Sequence, residues 1–98
     1  MIIKGKEYQL KFSNRALINI EKRTKTPIMK LLADEDKVTS LEVMTIFIHE
    51  GCNDVQLKYD DVVDEVDFGK LAEYVGEIKD AIYNAFNIED KKKIMENP

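Results

Sequence analysis

Ninety-eight residues, 44% of them hydrophobic and carrying a net charge of −4, suffice for one small domain and a single core. Acids and bases are interspersed, which argues against the basic footprint of a nucleic-acid-binding domain, and no apolar run approaches the ~18 residues of a membrane span. The lone Cys52 has no intrachain partner, and Met1 leads into only two apolar residues before Lys4, so a signal-free chain in a reducing, cytosolic compartment is expected.

Residues 1–12 read as a β-hairpin, with Lys4-Gly5-Lys6 as the turn. On its second arm Tyr8, Leu10 and Phe12 share one face by the period of two, while Glu7, Gln9 and Lys11 face water. Ser13 is placed to cap a helix whose stripe is Ala16, Leu17 and Ile20 and whose last turn is basic, Lys22-Arg23. Thr26-Pro27 then starts a short helix, Ile28 to about Ala33, with threonine as the cap and proline in the first turn, ending in an acidic loop, Asp34-Glu35-Asp36.

Thr39-Ser40-Leu41-Glu42 reads as a capping box opening a helix from about Ser40 to Glu50. Leu41, Val43, Met44, Ile46, Phe47 and Ile48 cover an arc of roughly 200°, wider than the ~100° stripe of a one-sided surface helix. Glu42, Thr45 and His49 fill the polar remainder, and Gly51 is expected as a left-handed cap. A short helix over Tyr59–Val66 and a long one from Phe68 to about Phe86, capped by Asp67, complete the pattern. The long helix carries Phe68, Leu71, Val75, Ile78, Ile82 and Phe86 as its core stripe, with Tyr74, Ala81 and Ala85 on one flank and Lys79 at its margin. The expected fold is mainly α: four to five helices packed as a small bundle with a short N-terminal β-hairpin. It forms one domain, with the hairpin over 1–12, a helical core over 13–87 and a C-terminal tail over 88–98.

Chemistry is scarce. His49-Glu50-Gly51-Cys52 lacks the second histidine of a zinc-binding helix, since Asn53 stands in that position, and no other histidine or cysteine exists. A Cys52 nucleophile with His49 as base would need an orienting group and an oxyanion site. The acidic runs lack the alternating ligands and central glycine of a calcium loop. Tyr8, Tyr59, Tyr74 and Tyr83 read as core-edge residues, and Lys91-Lys92-Lys93 as a solvated face. No catalytic residue, cofactor or metal site is expected, and the chain reads as a non-enzymatic protein that works through its surfaces.

Taken in order, Lys6-x-Tyr8-x-Leu10-x-Phe12, then Arg15-Ala16-Leu17 and Ile20-Glu21, then Ile28-x-x-Leu31-Leu32, the apolar helix ending Ile48-His49-Glu50, Leu57 with Asp60-Asp61-Val62, and the closing Ala85-Phe86 resemble the tail assembly chaperones of long, non-contractile-tailed bacteriophages and prophages. The resemblance spans roughly residues 4 to 87 and rests on order and spacing. Lys58 stands where such chains often have a capping threonine, and Asn53-Asp54 lacks an expected proline.

The resemblance implies a factor that binds and coats the tape measure protein, helps recruit tail tube subunits, works in the host bacterial cytoplasm and is absent from the finished virion. It also implies a longer frameshifted form of the same chain, for which the codons of Lys91–Lys93 are the candidate slippery site, and a capacity to form homo-oligomers, with no nucleic acid or membrane as partner. Phe47, Ile48, Tyr74 and Ala81 are the expected partner interface, with ordinary core as the competing reading. The alternative function is a small phage-encoded helical regulator binding DNA or a repressor protein, since Thr26-Pro27 between two short helices faintly resembles a helix-turn-helix.

Overall fold

The structure, a computed structural model, describes residues 1–86; the side chains of Phe68 and Leu71, the tail and its lysine triplet lie outside what is described. Two short antiparallel strands, β1 (Ile2–Ile3) and β2 (Lys6–Glu7), are followed by six α-helices: α1 (Asn14–Thr24), α2 (Ile28–Ala33), α3 (Glu35–Val38), α4 (Leu41–Gly51), α5 (Tyr59–Glu65) and α6 (Leu71–Ala85). The mainly helical class with an N-terminal hairpin is as expected, with one short helix more than the sequence pattern indicates.

The hairpin pairs Ile2 with Glu7 and Ile3 with Lys6 across a tight turn in which Lys4 (φ 52°) and Gly5 (φ 77°) are both left-handed. Two consecutive positive φ values match the twist of paired strands, and glycine takes one of them without steric cost. Beyond Glu7, Met1 and Tyr8 exchange one further pair of backbone hydrogen bonds, each 2.7 Å, and the alternation continues past them. Leu10 and Phe12 are buried and Tyr8 half-buried, while Gln9 and Lys11 stay in water. This extended arm is pinned to the end of α4 by Lys11 N–H donating to the Gly51 carbonyl at 2.9 Å and by the Asn53 amide donating to the Lys11 carbonyl at 2.7 Å.

Helix α4 is the central element and packs against α1, α3, α5 and α6. Its wide apolar arc is absorbed by these neighbours: Met44, Ile46, Phe47 and Ile48 are all buried, and the Phe47 ring meets Phe12 edge-on at 5.9 Å. Thr45, expected in the polar sector, is buried too. Its hydroxyl donates to the Leu41 carbonyl one turn back at 2.6 Å, which removes the cost of its burial.

Several helix ends differ from the sequence reading. Ser40, not Thr39, caps α4, its hydroxyl accepting from the Val43 amide at 3.3 Å; the Thr39 hydroxyl donates backwards to the Glu35 carbonyl at 2.6 Å, so no capping box forms with Glu42. Thr26 does not cap α2 either. Pro27 stands at the N-cap, and the Glu21 carboxylate reaches from α1 to accept from the Ile28 amide at 2.8 Å. Asp34 caps a four-residue helix where an acidic loop was expected, accepting from the Asp36 and Lys37 amides. At α5 the half of a capping box that lysine permits is present: the Asp61 carboxylate accepts from the Lys58 amide at 3.1 Å, and a lysine side chain has no acceptor to return the bond. Asp67 closes a 3-10 turn over Phe68–Lys70, accepting from the Gly69 amide at 2.9 Å, so α6 starts later than the pattern suggests.

Gly51 is the last residue of α4 rather than a left-handed cap; Asn53 (φ 53°) takes that conformation. The glycine is required for another reason. A Cβ at this position would stand 2.9 Å from Phe12 Cζ and 3.1 Å from Leu10 Cδ2, so its absence is what lets the aromatic arm lie on the helix. Along α6, Ile78 and Ile82 are buried and Val75, Tyr74 and Ala81 half-buried, but Ala85 is exposed and Phe86, expected in the core stripe, is 41% exposed. Among the described residues no helix is long and apolar enough to cross a membrane.

Candidate docking surface

Two polar clusters have structural work. Arg23 from α1 donates to the Glu50 carboxylate at 2.7 Å and lies 2.9 Å from His49 Nδ1, with its guanidinium 5.0 Å from the centre of the Tyr59 ring. A guanidinium only donates, so Nδ1 must accept. The other ring nitrogen lies 2.8 Å from the Leu57 carbonyl, which only accepts, so that nitrogen donates and the ring is held from both sides. Both ring nitrogens are thus occupied, and neither is available to activate Cys52. That thiol is buried, and burial pushes its pKa up to about 11, the opposite of an activated nucleophile.

Three acids of the 54–65 region serve the hairpin and its arm. Asp61 pairs with the Lys4 ammonium at 3.0 Å, Glu65 accepts from the Lys4 amide at 2.6 Å, and Asp54 accepts from the Tyr8 hydroxyl at 2.6 Å. That hydrogen bond, aided by desolvation, holds the Tyr8 phenol up at about 12; against desolvation, it also holds the Asp54 carboxyl below its ordinary value. Among the described residues no group of three or more histidine, cysteine or carboxylate side chains is placed to hold a metal ion.

Of the expected interface residues, Ile48 and Tyr74 line one small cleft, but the four do not form one exposed surface. Phe47 and Ile48 are fully inside, so the structure corrects the expectation that the α4 arc supplies exposed apolar surface. Tyr74 borders the junction of β1 and α5, beside Ile2, Val62 and Val66, and Ala81 lines a polar cleft between α6 and residues 7–10. All four tyrosines are half-buried, as their sequence spacing indicates.

Exposed apolar surface collects elsewhere, between α2 and the second half of α6. A groove of about 450 Å³ is walled by Met29, Leu32 and Ala33 on one side and by Lys79, Ile82, Tyr83 and Phe86 on the other. Its origin is local. Helix α2 reads Ile-Met-Lys-Leu-Leu-Ala; Ile28 and Leu31 are turned inward, Leu32 is half-buried against the core, and Met29 and Ala33 face out. Met29 is 67% exposed and Phe86 41%. Covering such side chains contributes up to roughly 1.5–3 kcal/mol each when burial is complete. Ile2, Ile18, Val55 and Val63 are also exposed, but they are distributed over β1, α1, the 53–57 turn and α5, as single apolar residues commonly are. The groove escapes sequence reasoning because the two walls lie some fifty residues apart along the chain; the near-total apolarity of α2 was the one available signal.

No protein-family model matches this chain, and neither the curated proteins nor the solved structures contain a significant match to it.

Proposed function

We propose that this protein is a tail assembly chaperone of a long, non-contractile-tailed phage or prophage. It binds and coats the tape measure protein and helps recruit tail tube subunits. It works in the host bacterial cytoplasm, alone or as a homo-oligomer and alongside a longer frameshifted form, and leaves before the virion is complete. Its partners are proteins rather than nucleic acid or membrane. The reading is carried by one structural observation, the apolar groove between α2 and α6 with Met29 and Phe86 left in solvent. A protein that keeps a long, aggregation-prone client in solution needs accessible apolar surface of this kind. The order of sequence features over residues 4 to 87 supports the same reading independently.

Co-expression with the tape measure protein of the same genome tests it. The chaperone should keep the client in the soluble fraction and co-purify with it. Met29→Asp should reduce both severalfold while leaving the thermal melting curve unchanged, because that side chain contributes little to the core. A client that remains insoluble and unbound beside the folded wild-type protein overturns the proposal.

A further inference from the structure

We draw no further inference here: the strongest candidate, the apolar groove between α2 and the second half of α6, carries nothing beyond the reading already proposed, because nothing in the structure shows what covers it.

Discussion

Gly51→Ala isolates the contact that joins the N-terminal arm to the central helix. The new methyl would stand 2.9 and 3.0 Å from two Phe12 ring carbons and 3.1 Å from Leu10 Cδ2, against the ~3.5–4.0 Å of comfortable carbon contact. The ring would have to retreat by roughly 0.5–1 Å, and it is poorly placed to do so. Phe12 is 5% exposed and stacked edge-on against Phe47, and the neighbouring backbone is tied to α4 through Lys11 and Gly51. Overpacking of this kind costs about 1–3 kcal/mol. Alanine returns at most ~1 kcal/mol of helix propensity, and less at a terminal position. The steric effect wins, with a net loss of about 1 kcal/mol or more and a Tm lower by at least ~4 °C for a domain of this size. Thermal and urea unfolding of Gly51→Ala, Phe12→Leu and the double variant measure it. In the double variant the smaller side chain should recover part of the Gly51→Ala loss. An alanine variant as stable as wild type, or losses that simply add in the double variant, would refute the packing argument.

Two further outcomes are expected. Tyr8→Phe removes the hydrogen bond that lowers the Asp54 carboxyl and raises the Tyr8 phenol to about 12. A lowered carboxyl stabilises above its unfolded pKa and loses that contribution as pH falls through the folded value. A raised phenol stabilises below ~10 and loses it as pH climbs toward 12. The Tm gap between wild type and Tyr8→Phe should therefore be widest between about pH 5 and 9 and close at both extremes; a gap constant with pH would remove the linkage. Glu21→Ala deprives α2 of the side-chain cap at its Ile28 amide and should cost about 1 kcal/mol in urea unfolding. Glu21→Gln, which keeps an accepting oxygen, should lose less, and equal losses would show that the carboxylate's charge, rather than the bond to Ile28, is what matters.

What could be read directly from the chain was whatever depends on neighbouring residues. The Lys4-Gly5 turn, the alternation of Tyr8, Leu10 and Phe12, the Ser13 cap, accepting from the Ala16 amide at 3.1 Å, and the buried stripe of α1 are all set within a few residues. Tertiary structure decided what depends on partners distant in sequence. The α2 cap comes from Glu21 on another helix, and the space at Gly51 is reserved for a ring thirty-nine positions away. The long apolar helix α4 is hidden because four others surround it, while the short, nearly all-apolar α2, packed against α1 and α3, leaves Met29 and Ala33 in water. Hydrophobicity is a property of residues, but exposure is a property of their surroundings. The candidate surface therefore sits at Met29, Leu32 and Phe86 rather than at Phe47 and Ile48.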